Sequence, residues 1–449
     1  MKAIIDLLLK TKKIEELRRV GWVLMRVKDP ETVTEHTFRL SILTTLFAEM
    51  MGLNVEKAIK IAIFHDLCEI HSGDITTLLY HPEFRNVKNA KDRKKIEMKW
   101  ARLSAREKKK IGGLKFRKEK NALEKLIKYL PNKIRHEIFS YWVEYEKGVS
   151  KEGRLVRQLN SVETLIQSIE YFGANEKKSG STWWESTEEI AEDHLVLEFL
   201  EVIQEKLYHG KRVKTKKNLE GILDFIMAVG KLKKIPRKGW VLRGVKNPET
   251  VAAHSFSMSL MAWLILRSRN LKLHQEKLLK MVLYHELSRV YSEEMTPYDS
   301  VLTGRNAKTK KDILKQWVRL SRKEKSETFL RDYRKEKIAI KKLASILDDK
   351  RREEIMLLWE EFKAGSSSEG YFLNQIEAVS TLFKSLVYFS EKNSSFVGPF
   401  WEWAFESVDN PAIIEFMDEL KKKFNKKNLF SAPLVFLSFL QERFNKKIK

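Results

Sequence analysis

The residues whose types and spacing could do chemistry are His36, the adjacent pair His65-Asp66, and then Glu69 and Asp74. The apolar run Ala58, Ile59, Ile61, Ala62, Ile63, Phe64, Leu67 and Cys68 predicts a buried core helix with the His-Asp pair at its end. A carboxylate left unpaired in such a place is costly, so the pair needs a partner. Two readings of the residues stay open: hydrogen bonding within the core, or a bound cation. Two imidazoles with carboxylates suit a divalent ion such as Mn, Co, Ni, Fe or Mg, which can polarise a phosphoryl oxygen and generate hydroxide near neutral pH. Glu69, one helical turn after His65 and Asp66, could then orient the water.

The elements that must position these groups all read as helices. Segments 119–130, 133–146, 155–172 and 187–207 carry apolar residues at three- and four-residue spacing, punctuated by Gly148, Gly153, Gly173 and Gly180. No stretch alternates apolar and polar residues long enough for a strand, so the fold class is all-α. Met1 to Lys13 mixes Asp6 and four lysines with a short apolar run and reads as a mature helix, not a leader. No apolar stretch reaches the roughly 18 residues needed to cross a bilayer; Ser257–Leu266 and Leu429–Leu440 read as buried or docking helices.

An internal repeat organises the chain. Gly21-Trp22-Val23-Leu24 recurs as Gly239-Trp240-Val241-Leu242, and Pro30-Glu31-Thr32-Val33 as Pro248-Glu249-Thr250-Val251, both 218 residues later. The offset becomes 220 at His65-Asp66-Leu67 and His285-Glu286-Leu287, then 217 from Asn89-Ala90-Lys91 and Asn306-Ala307-Lys308 through Trp184 and Trp401. These matches predict two helical domains of one fold at 1–208 and 219–425, each independent, with a basic linker over 209–218 and a basic tail over 426–449.

Gly-Trp-Val-Leu, Pro-Glu-Thr-Val-Thr-Glu-His-Thr-Phe-Arg (30–39) and His-Asp-Leu-Cys-Glu-Ile-His-Ser-Gly-Asp-Ile-Thr (65–76) resemble the HD-domain phosphohydrolases, nearest their YfbR-like 5′-deoxynucleotidase branch. The resemblance covers nearly the whole of each unit and makes the chain a tandem of HD-type domains. It implies that His36, His65 and Asp66 are metal ligands, that Glu69 and Asp74 serve water activation or leaving-group protonation, and that Arg19 and Trp22 lie near phosphate and sugar. For Trp22, a core aromatic is the competing reading. Where the family has an Asp-Lys pair completing the metal site, this chain has Asn160-Ser161. An amide oxygen is a weaker, neutral ligand. The corresponding positions of the second unit are His254, His285, Glu286 and Glu377, with Arg289 at the Glu69 position and Glu294 at the Asp74 position. A cation there puts positive charge where water activation was needed, so this unit reads as degenerate, a scaffold or binding module.

The expected activity is therefore metal-dependent hydrolysis of nucleotides or other phosphate esters by the first unit. An alternative comes from the formal charge of +25. Residues 88–120 hold 15 Lys or Arg against four Asp or Glu, 305–342 hold 15 against five, and 421–449 hold nine against one. Such duplicated excess could track the backbone of RNA or DNA, as a catalytically silent tandem would, or be a solvated surface. Abundant charge is also the composition of many thermophile proteins. One cysteine, Cys68, allows no internal disulfide; neither a disulfide-linked partner nor a membrane is expected, and the cytoplasm is the simplest compartment.

Overall fold

The computed structural model describes residues 1–75, 104–174, 181–212, 216–390 and 394–424. Among them there is no strand, only isolated bridges at Arg18–Thr32 and Pro236–Thr250 that tie each unit's first helices to the next. Residues 88–103 of the basic stretch 88–120, and the tail 426–449, lie outside the described residues.

The first repeat runs α1 (Lys2–Glu16), α2 (Val20–Leu24), α3 (Val33–Met50), α4 (Val55–Phe64), α5 (Glu69–Ser72), α6 (Ala105–Ile127), α7 (Asn132–Lys147), α8 (Lys151–Phe172), α9 (Ser181–Ile190) and α10 (His194–Ile203). Its centre is α3. Thr32 starts it: the hydroxyl accepts the Glu35 N–H, and the Glu35 carboxylate accepts the Thr32 N–H at 2.6 Å, a reciprocal cap. Every residue from Val33 to Ala48 is buried, so α3 has neighbours on all sides. Asn54 caps α4 from one side only, its side-chain oxygen accepting from Lys57 N at 2.9 Å.

Two expected helices are shorter than their apolar patterns. The core helix predicted through Cys68 ends at Phe64, and 65–68 tighten into a turn with Leu67 N bonded to Phe64 O and Glu69 N to Asp66 O. The cause is local. His65 turns Nδ1 back onto Ala62 O at 2.6 Å, which presents Nε2 outward and ends the regular ladder. The helix predicted over 187–207 is broken between α9 and α10. There the Gln158 side-chain oxygen accepts the N–H groups of Glu192 and Asp193 at 2.7 and 2.9 Å, so the freed backbone keeps its partners.

The second repeat has the same order: α11 (Lys217–Gly230), α12 (Lys238–Leu242), α13 (Val251–Ser268), α14 (Gln275–Tyr284), the short α15 (Asp299–Leu302) and α16 (Ala307–Ile313), then α17 (Arg322–Ala344), α18 (Asp349–Ala364), α19 (Ser368–Phe389), α20 (Gly398–Ser407) and α21 (Pro411–Phe424). The repeats are not independent, contrary to the reading from the matched motifs. α3 packs on α13 and α4 on α14, and one hydrophobic core runs from Ile4 to Phe424. The Phe64 and Trp263 rings meet at 4.8 Å across the seam. Equivalent helices thus meet across an approximate two-fold, and ion pairs cross the seam: Arg267 of the second repeat binds Glu137 of the first, and Lys280 binds Glu49 at 2.6 Å. Motif matching cannot see this seam, because a helix buried on every side has no single apolar face to mark which neighbour covers it.

Candidate metal centre

The helix start at Thr32 and the turn after Phe64 bring His36 and His65 together, their ring centroids 5.8 Å apart. Ligand atoms of His36, His65 and Asp66 all lie within 4.8 Å of one another. Two short approaches show what these atoms need. His65 Nδ1 is committed to Ala62 O, so Nε2 carries a lone pair; it is buried without a hydrogen bond, though Asp66 Oδ2 lies 2.9 Å away. His36 Nδ1 is held by Glu163, which turns its Nε2 onto Asn160 Oδ1 at 2.7 Å. The Asn160 amide nitrogen donates to Tyr145 Oη at 2.9 Å, so the oxygen faces the imidazole. Acceptor facing acceptor at these distances requires a positive centre between them, a proton or a metal ion. The donor set therefore fits a divalent cation, and Asn160 stands beside the histidines where it could contribute a neutral oxygen.

Around this cluster, Arg19 reaches Asp66 Oδ2 at 3.4 Å and Thr164 Oγ1 at 3.3 Å. Burial disfavours its charge, but Asp74, Asp66 and Glu69 outweigh that and hold it protonated. Burial likewise works against the Asp66 carboxylate, yet His65, Arg19 and His36 bring it well below the usual range. Glu69 goes the other way: burial first, then the charges of Asp66 and Asp74, push its carboxyl well above the ordinary value. Its Oε2 is buried with no hydrogen-bond partner. Gly73, at φ +72°, turns the chain so that Asp74 accepts Val20 N at 2.6 Å and pins the start of α2 beside the cluster. Trp22 is 1% exposed, packed on Tyr171 and Trp183, with its indole N–H donated to Glu31 Oε1 at 2.9 Å.

Under the cluster, on α6, Glu119 is 2% exposed, with Lys115 Nζ 3.4 Å away. Burial lifts its carboxyl to about 8, which Lys115 only partly opposes. A folded-state pKa above the unfolded one gives stability that is present at acid pH and lost as pH rises towards 8. Glu119→Gln should therefore flatten the fall in melting temperature between about pH 5 and pH 8, removing up to about 1.4 kcal/mol per pH unit. Equal slopes in the two proteins would show that Glu119 is ionised throughout.

The second repeat arranges its equivalents differently. His254 Nε2 meets Glu377 Oε2 at 2.9 Å, His285 Nε2 lies 3.6 Å from the same oxygen, and the three residues form a second group able to hold an ion. Glu286, expected as a fourth ligand, is instead drawn away by Arg289 at 2.7 Å, and Arg289 also pairs with Glu336 at 2.8 Å. Arg237, at the Arg19 position, holds both Glu294 and Glu377. The guanidinium of Arg289 thus lies inside the chain where the first repeat has Glu69. The exposed lysines of α17 are partly paired with acids, Lys325 with Glu406 and Lys337 with Glu360.

Several residues that build the first cluster carried no role in the sequence reading. Glu163 is fully buried and holds His36 Nδ1, while its other oxygen accepts from Arg39 Nε at 2.7 Å. Arg39 also binds Gln167 at 2.9 Å and Glu170 at 2.8 Å. The signal was available: Asn160, Glu163, Gln167 and Glu170 recur at three- and four-residue spacing and so share one face of α8.

Two helical bundles, each closing on two histidines and a carboxylate able to hold an ion, define a helical class of protein built around a candidate metal centre. The chain belongs to the HD domain family, whose model matches residues 11–202 and again 229–420. It is similar to 5′-deoxynucleotidase HDDC2 of Mus musculus, 26% identical over 206 residues, 46% of this chain and 89% of that one. It is 30% identical over 170 residues to 5′-deoxynucleotidase HDDC2 of Danio rerio, 38% of this chain and 70% of that one. A solved conserved hypothetical protein from Pyrococcus furiosus is 28% identical over 45% of this chain and 97% of its own, with a TM-score of 0.32. Among the described residues no helix is long and apolar enough to cross a membrane.

Proposed function

We propose that the first repeat, within residues 1–208, is a metal-dependent phosphohydrolase that removes phosphate from nucleotides in the cytoplasm. The observation that carries this is the bare, buried Nε2 of His65, converging with His36 and Asp66 on one point. The 5′-deoxynucleotidase names of the similar proteins support the substrate class. A divalent ion held by His36, His65 and Asp66 would polarise the phosphoryl oxygen and lower the pKa of a water. Asn160 adds a neutral oxygen. Arg19 offers the phosphate those N–H donors not used by Asp66 and Thr164. Glu69, whose hold on a proton is raised by burial and by its acidic neighbours, gives a proton to the leaving oxygen, and Asp74 fixes α2 through Val20 N. In the second repeat, within 219–425, the Arg289–Glu286 pair favours a non-catalytic partner domain.

The test is phosphate release from a panel of 5′-nucleoside monophosphates with Mn, Co, Ni, Fe or Mg added in turn. Release no greater than that of a His65-substituted protein, with every metal and nucleotide, would end the proposal. Asn160→Asp should tighten metal binding roughly tenfold or more, because a charged oxygen replaces a neutral one and Tyr145 Oη can turn from acceptor to donor. Titration giving an unchanged Kd would place Asn160 outside the coordination shell.

A further inference from the structure

The carboxylate that orients His36 is completed from the other half of the chain. Lys233 follows α11, in the second repeat, and its side chain is 4% exposed. Its ammonium donates to Glu31, to Glu163 Oε1 at 2.6 Å and to Gln167 Oε1 at 2.8 Å, all in the first repeat. Three donors meet three acceptors, and Glu163 passes the constraint on through its second oxygen to His36 Nδ1. The backbone beside it is fitted to the same network: a Cβ on Gly230 would lie 2.6 Å from Arg39 Nη1 and 3.0 Å from Glu170 Oε1.

The approximate two-fold gives a built-in comparison. At the position equivalent to Lys233 the first repeat has Glu15, and at the position equivalent to Gln167 the second has Lys384. The charges are exchanged: Lys384 binds Glu15 and, at 3.0 Å, Glu249, while Glu15 accepts from Ser257 Oγ at 2.7 Å. A second copy of the first repeat in place of the second would bring Glu15 against Glu31 and Glu163, carboxylate on carboxylate. Only the unlike repeat brings a cation to that place.

We propose that Lys233 is a positioning residue supplied by the second repeat to the first, holding Glu163 so that His36 presents Nε2 for metal binding. This rests on the first cluster being a metal site, and the experiment separates the two. Full-length protein with His254→Ala, which silences the second group, is titrated with cobalt(II) and followed by visible absorbance. Lys233→Met should weaken cobalt binding at least about tenfold, the scale seen for outer partners of metal ligands. Lys233→Arg should recover much of it. Lys384→Met removes an equally buried seam lysine away from the first cluster and should leave the Kd within about twofold. If Lys233→Met does not fold, Lys233→Gln, which keeps a donor, is read in its place with the same expectation. A Kd unmoved by the Lys233 substitutions, or moved as much by Lys384→Met, overturns the proposal. Cobalt binding that survives His36→Ala overturns instead the metal reading on which it rests.

Discussion

His65→Ala removes divalent metal from the first repeat and lowers phosphate release from nucleotides by more than about a hundredfold, since even the outer partners of metal ligands are worth about 10–100-fold. The expectation follows from geometry. His65 Nε2 is the one imidazole nitrogen of the cluster with no hydrogen bond, and its ring is fixed by Ala62 O and by edge contact with Tyr145 at 4.9 Å. Metal analysis of the purified variant, beside circular dichroism to show that the helices are kept, reads the result. Metal content equal to the parent's would mean that the ion, if any, sits elsewhere, and the second group at His254, His285 and Glu377 would be the place to look.

Arg39→Met destabilises the protein by about 3–5 kcal/mol, the cost of breaking a buried, hydrogen-bonded ion pair from one side. The guanidinium is fully buried and its donors are spread over Glu163, Gln167 and Glu170. Methionine fills much of the volume but leaves the Glu163 carboxylate with Lys233 and His36 alone and strands the inner face of Glu170. Arg39→Lys should recover only part of the loss, because an ammonium lacks the guanidinium fork that reaches from Glu163 to Glu170, nearly two turns along α8. Denaturant unfolding measures both. A loss below about 1 kcal/mol for Arg39→Met would show that Lys233 alone neutralises Glu163.

How much of this was legible beforehand depended on the range of the interaction. Helices and repeat followed from periodicity and self-comparison, because those signals are local or duplicated. The cluster of His36, His65 and Asp66 could be named from residue type and from a family likeness. What the sequence withheld was pairing at long range. Nothing in the spacing says that Lys233 reaches Glu163, since a lysine among lysines in Lys231–Lys234 reads as a solvated run. The broken helix at 191–193 was hidden for a related reason: the apolar pattern continues through it, and only Gln158, on another helix, makes the break tolerable. The sequence places Arg289 at the Glu69 position of the second repeat, but its choice of Glu286 and Glu336 as partners needed coordinates.

The burial of α3 on every side changes what the duplication means for the history of this chain. A duplicated domain ordinarily leaves a spare, and the spare can decay or be lost without harm to the original. Here the two halves share one hydrophobic core. Losing the second half would bare the face of α3 that packs on α13, and would leave Glu31 and Glu163 without their lysine. The exchange of charge between Glu15 and Lys233, and between Gln167 and Lys384, also bars a return to two identical halves one substitution at a time, since each single reversal puts like charges together or leaves a buried charge alone. The second half is thus free to shed its own chemistry and is still bound to remain.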